Sequence, residues 1–330
     1  MPTITLFLRP NRAGAYSIEN LFLALYPHIR KGTEARLYTL KSKNAGLFNR
    51  WKLVRELREN RSRHVNHITG DITYTALFLS RRSIVLTIHD VESLERQNVL
   101  AAWALQLLWL KWPVSRARFV TVVSHQTKAR LLEQVPVNPG KVIVIPNPVS
   151  ELFQYVPKLF QKEMPAILQI GTKQNKNLER TIKALAGIPC KLTIIGMLTP
   201  AQQELLQECR IDFENKAGLT NEELAAEYRK ADIVSFVSIF EGFGMPIVEA
   251  NATGRVVLTS NVSAMPEVAG NAALLVDPHS IAAIREGFLE LIRNDALRET
   301  LIANGLQNAK KYQPELIARQ YLALYERMLT

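Results

Sequence analysis

DIVSFVSIFEGFGMPIVEANATG, residues 232–254, decides the fold. Its first part, DIVSFVSIF, is an apolar run rich in β-branched residues and reads as a strand buried on both faces. Pro246 suits the first position of a helix, where a missing N–H costs nothing, and Gly254 suits the position just past a helix end. EGFG is then the crossing from strand to helix at the carboxyl edge of a parallel sheet, the edge along which open α/β folds bind ligands. Gly242 and Gly244 remove side chains where backbone amides face the helix N-terminus, and such amides together with the helix dipole attract phosphate.

Two carboxylates flank those amides: Glu241 in the turn and Glu249 one turn into the helix. A carboxylate can accept from two vicinal hydroxyls. Two of them around a phosphate cradle suit a nucleotide sugar, one for ribose and one for the transferred sugar. In the alternative reading Glu241 is solvated and Glu249 only offsets the helix dipole.

Outward from this stretch, apolar β-branched runs alternate with helical patterns, which implies an α/β chain with parallel sheets covered by helices. Strands are expected at 3–8, 34–39, 64–68, 83–88, 119–123 and 141–145, and a second ladder at 166–170, 191–195, 232–237, 255–259 and 272–276. The turn-rich IPNPVSELFQYVP between the ladders places a domain boundary near 150–164. Ser17 is a candidate N-cap for a helix through Ile18, Leu21, Phe22 and Leu25. PELIARQYLALYERM (314–328) reads as a helix able to pack back onto the first half.

The 330 residues carry a net charge of +11, unevenly placed. Residues 1–150 hold 22 Lys+Arg against 9 Asp+Glu, a balance of +13, and residues 151–330 hold 19 against 21, a balance of −2. A basic half predicts an acidic partner or a solvated basic face. The basic segment KSKNAGLFNRWKLVRELRENRSRH (41–64) sits in no nucleic-acid motif, so nucleic acid is not expected; its arginines suit anionic lipid headgroups or a charged glycan. VLAAWALQLLWLKWPVSRAR (99–118), with Trp103, Trp109 and Trp112, reads either as a buried core helix or as one that dips into a membrane interface.

Its apolar stretch is too short to span a bilayer, and the start of the chain has no signal-peptide pattern, so a protein that is cytoplasmic, or peripheral on the inner face of the membrane, is expected. Cys190 and Cys209 lack metal-ligand spacing, and no Asp-x-Asp pattern occurs, so neither a metal nor a cofactor is expected.

EGFGMPIVEA resembles the Glu, seven residues, Glu motif of retaining GT-B glycosyltransferases, especially glycosyltransferase family 4. TGRVVLTSNVSAMPEVAGNAALLVDP (253–278) extends the likeness through the next strand, the Pro-Glu turn and the strand beyond. The resemblance implies a GT-B fold: two Rossmann-like, doubly wound parallel-sheet domains facing across a cleft. Residues 1–150 would form the acceptor-binding domain, with a helix at about 314–330 packing back onto it, and 151–313 the donor-binding domain.

The same resemblance assigns roles. In QIGTKQNKNLERTIKAL (169–185), Gly171 and Thr172 form a turn, and Lys173 and Lys176 contact the donor diphosphate and neutralise it as it leaves. Gly242, Phe243, Gly244 and Met245 cradle phosphate, Glu241 holds sugar hydroxyls and Glu249 holds ribose. His89, ending LTIHD (86–90), lies near the anomeric centre; read alone it is as well a structural, hydrogen-bonded histidine. Gly14 in RPNRAGAYSIENLF (9–22) is approached by donor phosphate or acceptor. Ala15 departs from the family's second glycine, and SIFEGFG departs from its usual Pro-Ser.

The implied activity is retaining, metal-independent transfer of a hexosyl group from a nucleotide-diphosphate sugar to a hydroxyl of a glycan or lipid-linked acceptor, in cell-surface polysaccharide or glycolipid synthesis. The rivals are a sugar-nucleotide epimerase of the same architecture and a non-catalytic nucleotide-binding module.

Overall fold

The structure is a computed structural model that describes residues 3–9, 17–42, 46–91 and 106–329. They fall into two compact units, one within Met1–Pro148 and Pro314–Thr330 and the other Val149–Gln313. In the first unit β1 (Ile4–Leu8), α1 (Ser17–Gly32), β2 (Ala35–Thr39), α2 (Leu47–Glu59), β3 (Val65–Ile68) and β4 (Ile84–Ile88) follow in order. A π-helical turn, Leu107–Lys111, then runs into α3 (Trp112–Arg116), followed by β5 (Phe119–Val122), α4 (His125–Gln134) and β6 (Val142–Val144). The sheet order is β2-β1-β3-β4-β5-β6 with every pair parallel.

The second unit runs β7 (Ala166–Ile170), α5 (Leu178–Leu185), β8 (Lys191–Ile195), α6 (Pro200–Glu208), β9 (Asp212–Lys216), α7 (Asn221–Lys230), β10 (Ile233–Phe236) and α8 (Met245–Thr253). It continues through β11 (Val256–Ser260), α9 (Met265–Ala269), β12 (Leu274–Val276), α10 (Ile281–Arg293) and α11 (Asp295–Lys310). Its strands, again all parallel, are ordered β12-β11-β10-β7-β8-β9. Both sheets are therefore doubly wound in the Rossmann manner and adopt the GT-B fold. Thr199 and Thr220 start α6 and α7 with reciprocal capping boxes, each satisfying donors that a helix start leaves open.

All eleven expected strands are present, and one more, β9, was missed. Its sequence, DFENK, carries three charges and one large apolar residue. It lies at the sheet edge with Asp212, Glu214 and Asn215 exposed, so no buried face imposes a hydrophobic pattern. Register with β8, from Lys191↔Asp212 to Ile195↔Lys216, holds it instead.

Alternation along the strands of the first unit builds two different layers. Phe7, Ile68, Leu86 and Val120 pack with Leu53 and Leu57 of α2, and burying each such side chain contributes roughly 1.5–3 kcal/mol. On neighbouring positions the buried residues are polar: His67, Thr87 and Thr121. The final helix, α12 (Pro314–Leu329), belongs to this unit. Its Tyr325 hydroxyl lies 2.7 Å from His67 Nδ1, and His67 Nε2 lies 2.7 Å from Thr87 Oγ1, which in turn meets Thr121 Oγ1 at 2.7 Å. Arg118 secures the end of the helix by donating to the Met328 carbonyl at 2.8 Å.

Burial, with the neighbouring His89 adding to it, pushes the His67 imidazole down to about 3 from its ordinary 6.5. The folded chain thus keeps His67 neutral where the unfolded chain protonates it, and stability falls as pH drops from about 6.5 toward 3, by up to about 1.4 kcal/mol per pH unit. Urea unfolding across that range checks the slope, which His67→Gln flattens. Tyr325→Phe, which strips a buried ring nitrogen of its partner, costs about 1–3 kcal/mol at neutral pH in the same assay.

Candidate active site

Strand order in the second unit reverses between β7 and β10, which are paired neighbours with Ile233↔Ile167 and Ser235↔Gln169 in register. The chain leaves the sheet in opposite directions after these two strands, so their carboxyl ends border a crevice that no crossover covers. Gly171–Lys176 follows β7, and 238–244 follows β10.

Backbone and amide contacts lock the two turns together. The Ile239 amide donates to the Asn175 carbonyl at 2.8 Å, and Asn175 Nδ2 donates to the Phe240 carbonyl at 3.2 Å. Asn177, buried and left-handed at φ 58°, donates to the carbonyls of Val237 (3.1 Å) and Pro278 (2.7 Å). An asparagine tolerates that backbone region better than most side chains, and here its amide also joins three segments.

On this frame Lys176 Nζ sits 2.5 Å from Glu241 Oε1, and Asn175 Nδ2 donates to the same oxygen at 3.2 Å. Both charged groups keep some solvent access. Lys176 also lies 4.9 Å over the Phe236 ring, and its stem crosses Gly171. A Cβ at Gly171 would come within 2.8 Å of Lys176 Cγ, and the φ of +89° there is itself strained for any other residue. Ser263 Oγ donates to the Glu241 carbonyl at 2.8 Å. Thr172 is committed elsewhere, its hydroxyl donating to the Met197 carbonyl at 2.7 Å. Lys173 is exposed.

Gly244 is the N-cap of α8 at φ +118°, and Pro246 lies in the first turn; Gly254 is the C-cap. The first amides of a helix have no intrahelical acceptor, so those around Gly244 and Met245 present a positive end beside the Lys176–Glu241 pair. The Phe243 side chain turns into the core and meets the Tyr312 ring edge-on at 5.5 Å, which leaves its backbone as the part able to serve a ligand. One turn into α8, Glu249 Oε2 accepts from the Tyr228 hydroxyl at 2.5 Å. Burial pushes the Glu249 carboxyl up to about 7, against the Tyr228 hydrogen bond and the Lys176 charge, which both lower it. Tyr228, fully buried on α7, was missed in the sequence, where a tyrosine in a helical pattern reads as core.

The first unit gathers its own polar cluster at the carboxyl ends of β1, β3 and β4. Arg9, just past β1, pairs through Nε with Glu19 Oε1 of α1, and a second guanidinium nitrogen donates to Glu19 Oε2 at 3.3 Å; both residues are buried. The third nitrogen reaches Asp71, beyond β3, at 3.4 Å. His89 Nε2 lies 2.8 Å from the Thr69 carbonyl, which only accepts, so Nε2 carries the hydrogen and Nδ1 the lone pair. Burial lowers the His89 imidazole to about 4, and it is neutral at neutral pH. Arg9, Glu19 and Asp71 were not singled out in the sequence, because the buried pair is visible only once β1 and α1 are side by side. Gly14 lies outside the described residues. Among the described residues no group of three or more His, Cys, Asp or Glu side chains is placed to hold a metal.

Two family descriptions match the chain in succession: Glycosyltransferase Family 4 over residues 5–151 and Glycosyl transferases group 1 over residues 155–308. Among curated proteins, an O-antigen chain mannosyltransferase B of Escherichia coli is 38% identical over 106 residues, which is 32% of this chain and 28% of that one. An MMP alpha-(1->4)-mannosyltransferase of Mycolicibacterium hassiacum is 26% identical over 270 residues, 74% of this chain and 66% of that one. The matched region thus spans between about a quarter and two thirds of the length of these relatives. Among solved structures, a sucrose-phosphate synthase from Thermosynechococcus elongatus superposes with a TM-score of 0.82 at 18% identity, covering 100% of this chain and 99% of that one. Anabaena HepE, solved with UDP and glucose, gives 0.76 at 14% identity, covering 99% and 100%.

Tyr228→Phe removes one of the two influences that hold Glu249 down, so its carboxyl should titrate above the present value of about 7. Side-chain carboxyl NMR, assigned with Glu249→Gln, follows the midpoint. An unchanged midpoint would show that the phenol does not govern this carboxylate.

Proposed function

The chain belongs to the GT-B glycosyltransferases, and from that premise we propose that it moves a hexosyl group from a nucleotide-diphosphate sugar to a hydroxyl of a glycan or lipid-linked acceptor, with retention at the anomeric carbon. The observation that carries the reading is the Lys176–Glu241 pair, 2.5 Å apart at the β7/β10 reversal, beside the open amides of α8. A cation and helix-terminal amides receive a diphosphate, and a carboxylate beside them receives sugar hydroxyls.

In the proposed reaction the bond from the anomeric carbon to the diphosphate oxygen breaks as the acceptor oxygen bonds to that carbon from the same face. The departing phosphate takes the acceptor's proton. Lys176, Lys173 and the Phe243–Gly244 amides stabilise the charge gathering on the diphosphate, a kind of contribution worth on the order of 10²–10³ in rate per donor removed. Glu241 orients sugar hydroxyls and Glu249 accepts from ribose. Within the first unit, the neutral His89 Nδ1 carries a lone pair able to accept from a hydroxyl. No residue is needed as a nucleophile, and no metal enters the scheme.

The mannosyltransferase names of two relatives make a nucleotide-diphosphate mannose the first donor to test. The +13 balance of residues 1–150 supports an acceptor at an anionic membrane surface and a peripheral protein on its cytoplasmic side; among the described residues no helix is long and apolar enough to cross a membrane.

A thermal-shift screen of nucleotide sugars identifies the donor, since a ligand bound only by the folded state raises the melting temperature. With that donor, Lys176→Ala and Glu241→Ala should each lower transfer about 100-fold or more, and chelators should leave the rate unchanged. The product anomer, read by NMR, should match the donor's. Undiminished transfer by either variant would sink the site assignment, and a new epimer formed from donor alone would replace transfer with isomerisation.

A further inference from the structure

The exposed face of α2 does not look like an ordinary solvated helix surface. Leu53, Val54 and Leu57 turn into the core. At 100° per residue, Phe48, Trp51, Lys52, Arg55 and Arg58 share an arc of about 120° on the other side. Phe48 is 66% exposed and Trp51 is 59% exposed, one turn apart. Among the described residues no other helix exposes two aromatic rings. Single exposed apolar side chains are common on soluble proteins, but paired rings set among cations form a patch.

We propose that this face of α2 seats the protein on an anionic lipid bilayer, with Phe48 and Trp51 entering the headgroup layer and Lys52, Arg55 and Arg58 meeting lipid phosphates. The inference rests on the membrane-surface reading above and names the surface responsible. Aromatic rings with a polar or cationic neighbour prefer the depth of the headgroups, and basic side chains beside them are drawn by the negative surface potential. The pieces are already arranged that way: Lys52 Nζ lies 4.4 Å from the Phe48 ring centroid, so ring and charge travel together. Arg55 shares its charge with Glu59 at 2.8 Å, which leaves Lys52 and Arg58 as the stronger electrostatic contacts. The helix is anchored from behind, where the Arg50 guanidinium stacks 4.6 Å over the Trp109 ring. The neighbouring segment also exposes Leu108 and Trp112 one turn apart. A second copy of the chain would bring like charges together on this face, whereas an anionic surface complements them.

The test is flotation of the full chain with vesicles of phosphatidylcholine alone and of equal parts phosphatidylcholine and phosphatidylglycerol. The wild type should float with the mixed vesicles and stay behind with the neutral ones. Phe48→Ser combined with Trp51→Ser should weaken that association roughly ten-fold or more. Lys52→Gln combined with Arg58→Gln should weaken it by a comparable factor that shrinks as salt rises. Both variants should keep the wild-type melting temperature and donor-induced thermal shift, since the altered side chains are exposed. Wild-type flotation by both variants would overturn the α2 assignment while leaving membrane association standing. No flotation of the wild type would overturn both readings. A dimer in sedimentation that the aromatic variant abolishes, without lipid binding, would make the face an interface between copies and overturn the proposal.

Discussion

The reversal of strand order between β7 and β10 is the constraint on which the second unit's chemistry depends. A parallel sheet delivers every strand's carboxyl end to one edge, but only at a reversal do the following segments diverge and leave room. Asn175, Asn177 and the Ile239 amide fill the polar needs of the two turns there, so a shift of either turn breaks these bonds and strands the buried Asn177 amide. Lys176 and Glu241 inherit their 2.5 Å separation from that frame. Their mutual contact also keeps each charge compensated until a ligand supplies new partners. Removing either one alone leaves its partner's charge uncompensated in a partly buried site.

The two units use the same sheet logic for unlike purposes. In the second, the carboxyl edge carries a cation, a carboxylate and open helix amides within a short span. In the first, the corresponding edge of β1, β3 and β4 is occupied by a buried arginine clamped between Glu19 and Asp71, with a neutral His89 held by the Thr69 carbonyl. The charge of the first half that remains exposed lies elsewhere, notably along α2.

Strong local patterns made most of this visible in the sequence. Buried parallel strands read as uninterrupted β-branched runs, and glycine with proline around 242–254 marked the strand-to-helix crossing and both ends of α8. β9 escaped because an edge strand with polar side chains has no pattern of its own and is held by its neighbour's ladder. The site's lysines and glutamates stood out as charged residues near glycines. The sequence could not show that Lys176 meets Glu241, two segments 65 positions apart, nor that Lys173 faces solvent beside it. Tyr228 and Asn177 were hidden for a related reason: each looks like ordinary core or turn chemistry until the segments it bridges are placed. Phe243 carried the opposite lesson, since a residue inside the motif proved to be core and offers only its backbone.

The last helix of the chain completes the first unit, and this sets an order of events during synthesis. The layer of the first sheet that holds His67, Thr87 and Thr121 receives Tyr325 from α12, so that layer stays incomplete while residues 149–313 are being made. Those residues form a contiguous unit with its own core and can close before the first one does. Until α12 arrives, that layer has α1 as its cover, with Phe22 meeting the His67 ring edge-on at 5.2 Å. A chain cut just before Pro314 would keep every residue of the second unit and lose the Tyr325 contact that closes the first.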